Sequence, residues 1–157
     1  MANEWYPFTA FNFEVKLVVP NAKAHNLSLT LVEGEFAECD GLEMTMEPKK
    51  IREGGNNTTQ INLVGPVSYG NLTLKRGMTP NFDLWRWFQL AMGGPTRGLR
   101  ATGTVLMKDG QRNALVAFEL TDCLPLKLKG PSFNAKEGQV AIEELQLAYS
   151  TLALRKP

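Results

Sequence analysis

The residues with the most reactive chemistry are few and poorly placed for catalysis. His25 is the single histidine, in the polar stretch Asn21-Ala22-Lys23-Ala24-His25-Asn26. It has no Cys, His or carboxylate partners at metal-ligand spacing, so no zinc site is expected. A Ser-His-Asp or Cys-His arrangement would have to use this one histidine, and no Gly-x-Ser-x-Gly elbow occurs. His25 reads as a solvated loop residue. Gly65-Pro66-Val67-Ser68-Tyr69-Gly70 has the glycine spacing of a phosphate loop. Asn71-Leu72 stands where that loop needs Lys and Ser or Thr, so the lysine charge on the phosphate is missing. Glu143 and Glu144 are adjacent, and on a strand they project to opposite faces, where they cannot easily act as a pair. Cys39 and Cys123 are too few for a disulfide framework and are expected as buried thiols. Asn-x-Ser/Thr triplets begin at Asn26, Asn56, Asn57 and Asn71, and mean little without secretion. No catalytic residue, cofactor or metal is expected.

Charge carries more information. Glu33, Glu35, Glu38, Asp40, Glu43 and Glu47 precede any base in their stretch, and Lys49, Lys50 and Arg52 follow at once. One reading is solvated strand faces with cross-strand pairs. The other is a two-signed surface that lets a negative patch of one copy meet a positive patch of the next. Arg52-Glu53-Gly54-Gly55-Asn56-Asn57 then breaks the β pattern with residues that tolerate left-handed backbone. It is either a plain hairpin tip or a contact loop on a rigid scaffold. The candidate contact residues are Lys49, Lys50, Arg52, Glu53, Gly54, Gly55, Asn56 and Asn57.

These residues must be held by short strands. The chain has 157 residues, enough for one domain over 1–157. It is 43% hydrophobic and 21% charged, with formal net charge +1. That balance argues against a nucleic-acid or membrane-surface binder. No stretch suits a transmembrane helix. Met1 to Pro7 lacks a signal peptide's basic start and apolar centre, so synthesis and folding in the cytoplasm are expected. Phe11 to Leu17 alternates strictly, and Leu27 to Leu31 alternates again. Phe36 to Ile51 reads as strand, turn at Asp40-Gly41, strand. Leu72 and Leu74 share a face. Thr102–Lys108 and Ala114–Leu120 read as a hairpin about Asp109-Gly110. Leu124, Leu126 and Leu128 share a face, as do Leu145, Leu147, Tyr149 and Thr151. One helix is expected: Thr79 caps it, Pro80 and Asp83 suit its first turn, and Gly93-Gly94-Pro95 ends it. Trp85, Phe88 and Met92, widened by Leu84 and Ala91, form its apolar stripe, which should pack on a sheet.

The runs Arg52-Glu53-Gly54-Gly55-Asn56, Tyr69 to Thr79 and Asp83-Leu84-Trp85 together resemble the tail-tube protein family of contractile phages and phage-tail-like injection systems. Gly130 to Lys136, Val140 to Glu143 and Leu145 to Ala148 are similar to that family's closing motif. The Asn12-Phe13 strand and the Cys39-Asp40-Gly41-Leu42 turn fit as well. The resemblance implies a mainly β fold shared with the haemolysin-coregulated protein of type VI secretion. That fold is two packed antiparallel sheets forming a barrel-like body with one flanking α-helix. It further implies hexameric rings that stack into a hollow tube inside a contractile sheath. Partners would be further copies of the chain, the sheath protein, the baseplate or spike, tube-terminating proteins, and an effector protein or DNA payload. A hairpin tipped by residues 52–57 would reach the next ring. The alternatives are a specialised tube-initiator paralogue at the baseplate, a monomeric ligand-binding β-barrel using Trp5, Trp85 and Trp87, and a hydrolase that would depend on His25.

Overall fold

Alternation makes a strand where one face can be buried and the other wetted. The computed structural model describes residues 7–9, 12–20, 22–25, 27, 30–34, 36–52, 54–55, 59–93 and 99–157, without the His25 side chain. Strand β1, Phe13–Val18, buries Val15 and Leu17 and exposes Lys16 between them, as the alternation predicts. Phe11 lies outside the described residues. A 3-10 turn, Ala22–His25, follows. The Leu27 amide donates to the Ala22 carbonyl at 3.0 Å. That bond keeps Leu27 in the turn, so β2 runs Thr30–Gly34 rather than 27–31.

The next strands are β3 (Glu38–Asp40), β4 (Met44–Met46), β5 (Lys49–Arg52), β6 (Gln60–Leu63), β7 (Val67–Tyr69) and β8 (Asn71–Gly77). Helix α1 is Asp83–Ala91. It begins later than Thr79 suggested. Asn81 Oδ1 accepts from the Asp83 amide at 3.0 Å, while Thr79 Oγ1 serves only the Asn81 amide. The buried helix residues are Asp83, Leu84 and Trp87. Leu84 and Trp87 join the core and Leu90 packs against it, so the inward stripe is rotated from the expected Trp85, Phe88 and Met92. Met92, expected on it, is exposed.

Strands β9 (Ala101–Lys108) and β10 (Ala114–Lys129) form the expected hairpin. Its turn is longer than an Asp-Gly pair. Asp109 Oδ1 accepts from the Gln111 and Asn113 amides, and Arg112 has φ 65°. Strand β10 is one continuous element where the sequence suggested two. Leu126 is exposed, not inward. The register slips between Pro125 and Lys127, a bulge that turns Pro125 and Leu128 toward Leu147 and Leu145. The last run divides into β11 (Ile142–Ala148) and β12 (Thr151–Arg155), so Thr151 is exposed rather than inward with Tyr149. The Ser150 amide donates to Thr121 O at the break.

All described ladders are antiparallel. The main sheet runs β2-β1-β9-β10-β11-β8-β3, with β12 also on β10. One half is β2-β1-β9-β10-β12 and the other β10-β11-β8-β3. The inward residues of both halves, with Leu84 and Trp87 of α1, form one apolar cluster. Among the described residues no pairing joins β2 to β3.

Candidate functional site

Between Gly41 and Gly70 the chain leaves this body as a two-stranded arm. In its lower ladder Met44 opposes Tyr69, Thr45 opposes Ser68 and Met46 opposes Val67. In its upper ladder Lys49 opposes Leu63, Lys50 opposes Asn62, Ile51 opposes Ile61 and Arg52 opposes Gln60. The ladders meet at a tight crossing that includes Pro48 and Pro66, which cannot donate. There the Glu47 amide donates to Pro66 O, and a Cβ on Gly65 would lie 1.6 Å from Glu47 O. From residue 44 to 52 the arm spans about 26 Å at the usual strand rise.

The root of the arm is clamped. Tyr149, buried just after β11, donates its hydroxyl proton to Gly41 O at 2.7 Å and accepts from the Glu43 amide at 3.0 Å. Its ring lies 5.6 Å from that of Tyr69. Gly41 has φ +110°, and a Cβ there would meet Asn71 O at 1.9 Å. This glycine lets the chain turn out of the sheet.

Directly opposed residues share a face. Ile51 and Ile61, with Lys49 and Leu63, make one face of the upper arm. Lys50, Arg52, Gln60 and Asn62 make the other. All eight are exposed. Ile51 is 47% and Leu63 43% exposed, high for side chains that normally drive burial. Of the expected contact residues, Lys49, Lys50 and Arg52 lie on β5, and Gly54 and Gly55 form the turn beyond it. Glu53, Asn56 and Asn57 lie outside the described residues. The apolar members Ile51, Ile61 and Leu63 were missed. The alternation Gln60-Ile61-Asn62-Leu63 was the available signal.

The body has a buried polar cluster of its own. Glu143 is 2% exposed. Its Oε1 accepts from Arg76 Nε at 2.5 Å and its Oε2 from Trp85 Nε1 at 3.0 Å. The Arg76 guanidinium also lies 5.5 Å from the Phe36 ring centroid. This joins β8, β11 and α1, and uses both carboxylate oxygens. Glu144 takes the opposite face, between Lys75 and Lys129 in register. The expected separation of the two carboxylates is what the structure has.

Among the described residues no three His, Cys, Asp or Glu side chains gather to hold a metal. Burial pushes the Cys39 thiol up to about 11 and Cys123 to about 12. Cys123 is fully buried, and Cys39 only half-buried. A cleft of about 120 Å³ is lined by Phe13, Cys39, Leu42, Val105, Met107 and Phe118, well below the usual size of a ligand pocket. Trp85 is bonded to Glu143, and buried Trp87 donates to Leu99 O at 3.0 Å. Neither lines that cleft. Trp5 lies outside the described residues.

The sequence profile of the family described as T4-like virus tail tube protein gp19 matches residues 9–153. The chain belongs to that family. Among solved structures, a chain of the anti-feeding prophage baseplate has 23% identity and a TM-score of 0.79, over 96% of this chain and 97% of that one. A chain of the PVC extracellular contractile injection system sheath–tube complex has 18% identity and a TM-score of 0.77, over 98% and 95%. Hcp1 from Salmonella typhimurium has 11% identity and a TM-score of 0.51, over 92% and 86%. The tail tube fold is thus shared with Hcp proteins, as the sequence resemblance implied. A comparison with curated proteins by sequence found no match.

In this tail tube family member the acids and bases of the sequence separate only in part, because Glu43 and Glu47 lie on the arm with the bases. Glu38 and Asp40 stand on β3, at the end of the sheet, while Lys49, Lys50 and Arg52 stand on the arm. Glu33 is tied to Lys16 within the sheet.

Proposed function

We propose that this chain is the repeating subunit of the inner tube of a phage tail or a phage-tail-like contractile injection system. Copies close into hexameric rings, and the rings stack into a hollow tube. The observation that carries this reading is the uncovered apolar ladder of the arm, Ile51 opposite Ile61 with Leu63 beside it. A lone two-stranded hairpin is marginal in water. An apolar face on it gains stability when another surface covers it. The end strands β2 and β3 are likewise edges that a neighbouring copy can pair. Such contacts join different surfaces of identical copies, which closes rings or extends filaments.

In this reading the protein is not an enzyme and needs no cofactor. The tube is a passive conduit and puncturing rod, and the sheath supplies the work. Its partners are its own copies, the sheath protein, the baseplate or spike, the tube-terminating proteins, and an effector protein or DNA payload in the lumen. It is made in the bacterial cytoplasm and then built into the particle.

Electron microscopy of the purified, concentrated protein tests the reading. Rings and tubes are expected. Reversing Lys49, Lys50 and Arg52 to Glu should leave rings and shorten tubes. Normal-length tubes from that variant would remove the arm's role. Persistent lone particles from the natural sequence, with no co-purifying syringe-like apparatus, would overturn the reading. Copy counting by mass spectrometry separates a bulk subunit from a single-ring initiator.

A further inference from the structure

The half-sheet β10-β11-β8-β3 carries an ordered charge pattern on its outward face. Register aligns Lys129, Glu144, Lys75 and Glu38 in one row across the four strands. The signs run plus, minus, plus, minus, and Lys75 Nζ lies 3.4 Å from Glu38 Oε2. The next outward row is Lys127, Gln146, Thr73 and Asp40, again ending in an acid. Between them the inward row Leu128, Leu145, Leu74 and Cys39 is apolar. Both patterns stop at β3, whose far edge has no described strand beside it. Its Glu38-Cys39-Asp40 presents acid, inward thiol, acid, with both acids exposed.

A strand that continues these rows must read base, apolar, base. On the exposed arm, Lys50-Ile51-Arg52 reads so, with Lys50 and Arg52 on one face and Ile51 on the other. We propose that β3 of one copy is the seat for β5 of a second copy, by addition of a strand to the sheet edge. The pairing sets Lys50 and Arg52 beside Glu38 and Asp40, and Ile51 beside Cys39. Because both triplets carry the same charge pattern in either direction, parallel and antiparallel addition both set base against acid and Ile51 against Cys39. The inward side of this seat opens onto the small cleft of Phe13, Cys39, Leu42, Met107 and Phe118. Ile51 therefore meets apolar surface rather than water. Backbone bonds along the edge supply attachment, and the alternating side chains set register. The proposal rests on the tube reading and names the receiving surface that the reading leaves open.

Two experiments on the full-length protein test it, both read alongside circular dichroism. In the first, Glu38→Lys with Asp40→Lys, and separately Lys50→Glu with Arg52→Glu, should each lose long tubes. The variant carrying all four changes should regain them, because opposite charges again face each other across the β3–β5 seam. In the second, p-benzoylphenylalanine at position 51 is irradiated in tubes assembled from mixed isotope-labelled and unlabelled copies. Intermolecular cross-links should map to residues 37–42. Long tubes from either double variant, no rescue by the fourfold variant, or cross-links mapping elsewhere would each overturn the β3 seat. If the natural sequence still forms tubes in those cases, the tube reading stands. If it forms neither rings nor tubes, both fall.

Discussion

The Tyr149 hydroxyl donates to the Gly41 carbonyl at 2.7 Å, although 108 positions separate the two residues. The same oxygen accepts from the Glu43 amide at 3.0 Å. One side chain from the body thus fixes the angle at which the arm leaves. Tyr149→Phe keeps the ring but leaves a carbonyl and an amide without this partner. A loss of about 1–2 kcal/mol is expected in urea unfolding, the cost of unpaired, partly buried groups. Hydrogen exchange at the Glu43 amide should accelerate. Unchanged stability and exchange would show that the clamp is not needed.

Gly65 occupies the crossing in the middle of the arm. A Cβ there would lie 1.6 Å from Glu47 O, and backbone cannot yield as a flexible side chain can. Gly65→Ala should therefore disrupt pairing of β5 with β6. The body core lies elsewhere, so the main thermal transition should stay close to that of the natural protein. Assembly should fail. Intact tubes from Gly65→Ala would contradict the arm's role.

The Glu143–Arg76 pair is buried on both sides, with 2% and 12% of the side chains exposed. Removing one partner strands the other's charge in the interior. Glu143→Ala is expected to cost about 3–5 kcal/mol. Glu143→Gln should cost less, because its amide oxygen can still accept one bond. Denaturant titration of both variants checks the order.

Both thiols have raised pKa values, to about 11 for Cys39 and about 12 for Cys123, first through burial. The ordinary value is 9.0. A raised value means the folded state favours the neutral thiol. The associated stability is fully present below about pH 9 and is lost as pH rises toward the folded values. Native protein at neutral pH should react slowly with a thiol-specific reagent, and urea-unfolded protein quickly. On raising the pH, Cys39 should react before Cys123. Rapid labelling of native Cys123 at neutral pH would contradict its burial.

Local pattern was enough to recognise much of this fold. Phe13, Val15 and Leu17 alternate, Asp109 marks the β9–β10 turn, and the Gly54-Gly55 pair marks the arm's tip. These signals are short-range consequences of side-chain period and backbone permissiveness. The basic residues of the arm were legible for the same reason. Leu126 shows the limit, because one bulge residue inverts the phase of everything after it. Helix α1 shows another: Leu84 and Trp87 face inward and Met92 does not, because the body the helix packs on selects the buried face.

Only the tertiary structure decided which strands pair across long separations. The alternation of Glu38, Cys39 and Asp40 defines two faces but does not reveal that β3 joins β8 and ends the sheet. Likewise the sequence sets Glu143 and Glu144 on opposite faces without saying which is inside, and Glu143 becomes the interior anion once β8 and α1 bring Arg76 and Trp85 to it. A strand's own residues dictate which way its side chains point. Its neighbours come from the burial of a core that the whole chain shares.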